Sequence, residues 1–290
     1  MREDFNRQIF ESFPDSVWTG DMPDLGNSST KSTRIIKIAR RISYVAASLC
    51  IPFAAATILL ATRKAEAPST IEAVAQSEIV YKVNNALQGN IVLPDSTIVT
   101  LNSGSTLRLA QDFGTGTRTV NLDGEAYFDV HKDRKVPFII NTPQGVEVKV
   151  TGTRFNMSCY SDSKEFGLTL LQGSVEVTTP KKELLHIEPS QQVVIRDDFF
   201  NVSKKDAPEE SVVWTEGILR FDHTSMRETF ARIERWYGVE IVAEDESVYR
   251  GSFSAEFRAE TLNEVLQLLC ITSRLNYSVS EKTITLTPKK

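Results

Sequence analysis

The sequence predicts a mainly β protein: one transmembrane helix, an all-β sandwich or roll, and a small C-terminal α+β domain. Three observations predict it. An apolar run of membrane-spanning length lies near the N-terminus, short period-two runs fill the middle, and strand–helix–strand patterns close the chain. At 290 residues the chain exceeds what one core usually organises, so several folded units are expected.

The apolar run is RISYVAASLCIPFAAATILLA, residues 41–61. From 42 to 61 it matches the roughly 20 residues a helix needs to cross about 30 Å of hydrocarbon. Ser43, Ser48 and Thr57 can bond back to helix carbonyls, and Pro52 weakens one turn without forbidding insertion. Lys31, Arg34, Lys37, Arg40 and Arg41 crowd its N-terminal side, whereas Arg63 and Lys64 stand nearly alone beyond it. The positive-inside bias therefore places 1–41 in the cytoplasm and everything after the span across the membrane. A cleaved signal peptide would have a shorter apolar core nearer the N-terminus. A lipoprotein reading fails on Leu49 before Cys50, and a buried helix would not be apolar all round.

Before the span, Phe5, Ile9 and Phe13 recur at four-residue spacing with Phe10 beside them, a short amphipathic helix ended by Pro14. The stretch DSVWTGDMPDLGNSST that follows is too polar to bury itself. Residues 1–41 are thus either a tail or a segment that folds on a cytoplasmic partner, with Phe5, Ile9, Phe13 and Trp18 as anchors. Residues 62–78 read as a linker.

Over 79–204, period two runs through Val99 and Leu101, Leu107 and Leu109, Ala126, Phe128 and Val130, Val146, Val148 and Val150. It continues through Phe155, Met157 and Cys159, Leu168 and Leu170, and Val175 and Val177. Turn signals such as Asp123-Gly124 and Pro143-Gln144-Gly145 separate the runs, as in a β sandwich. After a polar break, KKDAPEESV, residues 212–290 change pattern. A strand near 217–221 leads to a helix with Met226, Phe230, Ile233 and Tyr237 on one face. A second helix carries Leu262, Val265, Leu266 and Leu269, and capping boxes are expected at Ser225…Glu228 and Thr261…Glu264. Strands near 239–243, 251–256, 276–280 and 283–286 complete two strand–helix–strand units. So few strands should leave an edge open to strand addition, with Gly251 and Phe253, or Thr283 and Thr285, as partner-binding residues.

Catalytic chemistry is not legible. Formal net charge is −5, which argues against a nucleic-acid-binding surface as the main business. His131, His186 and His223 are scattered, and the three cysteines have neither metal-ligand nor redox spacing. No nucleophile elbow, phosphate loop or dinucleotide fingerprint occurs. Phe128, Phe138, Phe155, Trp214, Phe221 and Trp236 read as core. A non-enzyme without cofactor or metal is expected.

The stretches LPDSTIVTLNSGSTLRLA, RTVNLDGEAYFDVHKD, VEVKVTGTRFNMSCY and LTLLQGSVEVT resemble the periplasmic domain of the FecR family of membrane anti-sigma regulators. W-x-x-G-x-L-x-F followed by E-R-W-Y-G-V is similar to the C-terminal domain of Bacteroidetes members, which resembles the short N-terminal domain of secretins and TonB partners. The resemblance implies an inner-membrane protein. It would signal from a TonB-dependent outer-membrane transducer's signalling domain to an extracytoplasmic-function sigma factor. A membrane-tethered periplasmic binding module without sigma-factor output is the alternative. The resemblance also implies a candidate processing bond, Gly152–Thr153, where the same pair can instead be a tight strand connection. Three departures stand out. The segment before the span is shorter than the family's usual sigma-binding region. Ser96 and Ser190 replace glycines of the family's L-P-D-G and P-G-E-Q turns, which suggests turns that need no positive φ.

Overall fold

We describe a computed structural model of the chain, in which residues 78–197 and 199–289 are described. The expected cytoplasmic segment with Phe5, Ile9, Phe13 and Trp18, the span at 42–61 and the linker lie outside the described residues, Glu78 apart. Among the described residues no helix is long and apolar enough to cross a membrane.

Two facing seven-stranded sheets form the first part. The chain begins with β1 (Ile79–Lys82), β2 (Gly89–Val92), β3 (Ile98–Leu101), β4 (Thr106–Leu109) and β5 (Arg118–Asp123). It continues with β6 (Glu125–Asp129), β7 (Phe138–Asn141), β8 (Glu147–Val150), β9 (Arg154–Ser158) and β10 (Glu165–Gln172). It ends with β11 (Val175–Thr178), β12 (Leu184–Ile187), β13 (Gln191–Arg196) and β14 (Phe199–Lys204). One sheet runs β1-β4-β5-β7-β8-β11-β12, the other β14-β13-β10-β9-β6-β3-β2. All pairs are antiparallel except β5 with β7.

Register explains why this sequence closes into a sandwich. Leu107 lies opposite Leu122, Val120 opposite Ile140, and Ile140 opposite Val148 in one sheet. Val99 faces Phe128, Phe128 faces Phe155, and Leu168 faces both Met157 and Val193 in the other. Opposite residues share a face, so the period-two rows join into two apolar layers buried against each other. Cys159 is one of the buried hydrophobes, and burial pushes its thiol pKa up. Phe128 stacks on Phe155 and meets Phe138 edge-on.

A buried ion pair fixes one end. The Arg118 guanidinium donates to Asp95 at 3.2 Å and to the carbonyls of His131, Asp133 and Val136. Asp95 belongs to the L-P-D-S turn, whose Ser96 takes φ 69. Ser190 takes φ 67. Both turns therefore keep the left-handed backbone, contrary to expectation, because strand register and the turn hydrogen bonds set φ there. Ser96 N, for example, donates to Leu93 O at 2.9 Å. Glycine is needed at Gly124, with φ 136, where a Cβ would collide with the Ser105 side chain and stand 2.6 Å from its Cα.

The polar break is not a free linker. Residues Pro208–Glu216 form a 3₁₀ turn that lies on β10 and buries Pro208 and Trp214. Beyond it, β15 (Leu219–Ser225), helix α1 (Met226–Tyr237) and β16 (Glu240–Ala243) form one unit. Strand β17 (Ser252–Phe257), helix α2 (Leu262–Ser273), β18 (Leu275–Ser280) and β19 (Thr283–Pro288) form the other. Thr261 caps α2 with the full reciprocal box. Ser225 caps α1 alone, because Glu228 turns to Arg232 four residues on. Phe221, Phe253 and Phe257 centre a second core with Met226, Phe230, Ile233, Leu266 and Leu269. Cys270 is also buried, and its thiol pKa rises to about 11.

Pairing order corrects one expectation. β19 lies between β16 and β18 in a three-stranded sheet, so Thr283 and Thr285 sit on an interior strand. They offer no open edge. Among the described residues, β17 pairs with β15 alone and keeps one edge free.

Candidate functional site

The expected site residues do not converge. Gly152 and Thr153 form the turn between β8 and β9, Gly251 precedes β17 with Phe253 on it, and Thr283 and Thr285 lie in a different sheet. Gly152 has φ 141, and a Cβ there would meet Lys132 at 2.8 Å. Thr153 is buried and its hydroxyl donates to the Ser174 carbonyl at 3.0 Å. The β domain and the α+β domain meet instead along a seam on the outer side of the β9–β10–β13 face, and the seam holds a cleft of about 260 Å³.

Glu125 stands at its polar centre. One carboxylate oxygen accepts from Asn102 Nδ2 at 2.8 Å, the other from Asn156 Nδ2 at 3.0 Å. Asn156 Oδ1 in turn accepts the Trp214 indole N–H at 3.1 Å. Gln88 Nε2 donates to the Trp214 carbonyl at 2.9 Å, so the 3₁₀ turn is gripped from two sides. Both asparagines are buried, and each is satisfied at the seam, as buried polar groups must be.

Helix α1 supplies the second grip. The buried Arg235 lays its guanidinium 3.7 Å from the centre of the Tyr160 ring, and Nη2 donates to Asp162 at 2.9 Å. Its carbonyl accepts from Ala86 N at 2.7 Å, tying the end of the helix to the β1–β2 turn. Tyr160 donates its own hydroxyl to the Ser103 carbonyl, and burial pushes its phenol pKa up. Arg232 also lines the cleft. Its side chain is 43% exposed, and the Glu228 and Glu125 carboxylates beside it push the guanidinium pKa up.

Such a seam can transmit orientation from one domain to the other, since side chains with fixed partners resist sliding. The sequence reading missed it. Asn102, Glu125, Asn156, Trp214 and Arg235 belong to LNSGS, GEAYF, GTRFN, W-x-x-G and ERWYG, motifs far apart in the chain. The signal available was polar residues inside otherwise apolar signatures.

Two family models match, the FecR protein over residues 79–215 and the FecR C-terminal domain over 218–286. The chain belongs to the FecR family. The two models divide at the seam, between the 3₁₀ turn and β15. No curated protein matches the FecR chain. Two crystal structures, at 1.65 and 2.50 Å resolution, of a candidate anti-sigma factor from Parabacteroides distasonis ATCC 8503 do. Each is 28% identical with a TM-score of 0.68, and all of that chain is covered by 73% or 74% of this FecR chain.

Proposed function

We propose that this FecR-family chain is a single-pass inner-membrane anti-sigma regulator. It relays a periplasmic signal from a TonB-dependent outer-membrane transducer to an extracytoplasmic-function sigma factor. The observation that carries the reading is the likeness to the candidate anti-sigma factor over the whole of that chain. The apolar run at 42–61 and its basic N-terminal flank support the topology. Its work is binding rather than catalysis. Signature residues such as Glu125, Asn156 and Trp214 are consumed by the seam, where they meet one another.

Under this reading 1–41 hold the sigma factor and the α+β domain receives the transducer's signalling domain. The free edge of β17, beside Gly251, is the docking strand, since its main chain can bond an added strand. Phe253 faces the core rather than the partner, as one of the buried aromatics. The seam then carries the docked domain's orientation to the sandwich.

Ile9→Asp combined with Phe13→Asp in the full chain tests the output end. Sigma-dependent transcription should rise without inducer, and the sigma factor should no longer co-purify. Continued repression by that double variant sinks the proposed anchors. Serine-to-proline replacement at Ser254, in the middle of β17, tests reception: binding of the transducer's signalling domain should fall while the sigma factor stays bound. Undiminished binding rules out the β17 edge.

A further inference from the structure

We infer that the outer edge of β14 is a homodimer interface, at which two copies of this chain pair β14 with β14 about a two-fold axis through Asn201. Among the described residues, strand β14 closes one end of its sheet and pairs with β13 alone. Phe199 is 81%, Phe200 42% and Val202 38% exposed. Open edges are normally guarded by proline, a bulge or a central charge, and Phe199–Lys204 reads FFNVSK with its only charge at the end.

The direction of the main chain is set by the hairpin. Arg196 lies opposite Phe199 across a two-residue connection, and such flanking residues exchange both hydrogen bonds. Phe199, Asn201 and Ser203 therefore aim their amides at β13, whereas Phe200, Val202 and Lys204 aim theirs at the open edge. Lys205 N, of the same parity as Asn201, donates back to Ser190 O at 2.7 Å, as this alternation requires.

The segment 197–205 reads DDFFNVSKK and is self-complementary when run antiparallel to itself. Centring the axis on Asn201 sets Phe200 against Val202 of the second copy and Val202 against its Phe200. Those are the residues with free amides, so each pair can exchange two main-chain bonds. Asp197 then falls opposite Lys205. Sliding by two residues keeps the hydrogen bonds but loses that charge match, which selects the register. Phe200 and Val202 lie opposite the buried Ile195 and Val193 of β13. The second copy would thus continue the inner apolar layer past the sheet's present end.

Full-length chain in detergent, with Cys50→Ser to remove the thiol outside the described region, carries the test. In a non-hydrogen-bonded pair the two Asn201 Cα atoms stand about 4.5 Å apart, within disulfide range. Mild oxidation of Asn201→Cys should give a linked dimer at least about tenfold faster than Ser203→Cys, whose copies would stand more than about 13 Å apart. Sedimentation of the native chain should show a dimer, and Val202→Lys a monomer with an unchanged circular dichroism spectrum. Equal cross-linking at 201 and 203, linkage to a different protein, or a native chain that sediments as a monomer would each overturn the interface.

Discussion

Arg235 of α1 covers the Tyr160 ring at 3.7 Å and reaches Asp162 at 2.9 Å, joining the two domains through one side chain. The two contacts are unequal. Asp162 keeps 67% of its side chain in solvent, where an ion pair is screened and weak. Arg235 and Tyr160 are both buried, so the stack is desolvated and is the stronger tie.

Asp162→Asn should accordingly cost less than about 1 kcal/mol of stability. Arg235→Lys should cost more, about 2 kcal/mol, because a lysine loses the planar face that stacks on the ring. Denaturant unfolding measures both. Hydrogen exchange should quicken in α1 and in the β1–β2 turn for Arg235→Lys alone. Equal losses for the two variants would show the ion pair to be the main tie.

The Asp95–Arg118 pair is buried on both sides and is the one salt bridge Arg118 makes among the described residues; the Asp133 carboxylate adds a weaker attraction. Asp95→Ala should therefore cost about 3 kcal/mol, since it leaves a buried guanidinium without its ion-pair partner. Its carbonyl partners moderate the loss but carry no charge. A thermal midpoint within a degree or two of the native chain's would contradict this.

Ser96 and Ser190 sit at φ 69 and φ 67, where a Cβ crowds the neighbouring carbonyl. Ser96→Gly and Ser190→Gly should each stabilise the chain by about 0.5–1 kcal/mol, glycine's greater freedom in the unfolded chain offsetting part of the relief. Additivity is expected in the double variant, because the two turns share no partner. A lower melting temperature for either variant would show that its hydroxyl matters more than its backbone.

Processing at Gly152–Thr153, which the family resemblance implies, has a defined chemistry that can be tested. The Thr153 hydroxyl must leave the Ser174 carbonyl and attack the Gly152 carbonyl carbon. The amide C–N bond breaks, the hydroxyl proton passes to the freed Thr153 amine, and water hydrolyses the resulting ester to a Gly152 carboxylate and a Thr153 hydroxyl. Membranes carrying the native chain or Thr153→Ser should yield two fragments on immunoblots, and those carrying Thr153→Ala only intact chain. Full-length protein alone in all three would leave the pair as a strand connection.

Much of the fold was legible because burial in a sheet has a two-residue period. The alternation at Val99/Leu101, Leu107/Leu109, Phe155/Met157 and Val175/Val177 marks the strands whose inner faces meet in the core. The 3.6-residue spacing of Met226, Phe230 and Ile233 marks α1 in the same way. Glycine demand was legible at Gly124, where the chain passes too close to Ser105 for any side chain. It was not legible at Ser96, since a serine can be forced into a left-handed turn by contacts outside the turn.

The sequence by itself determined which faces are apolar, where helices begin, and that a sandwich precedes an α+β domain. Those properties repeat over a few residues and depend on each side chain's own solubility and shape. Only the tertiary structure decided which strand pairs with which, placing β19 inside its sheet and leaving β14 and β17 with open edges among the described residues. It also decided that Glu125, Asn156, Trp214 and Arg235 meet at one seam. Local periodicity tells a residue to be buried or exposed but not against what. A polar group inside the molecule is stable only with a partner, and that partner comes from whichever distant segment the fold brings beside it.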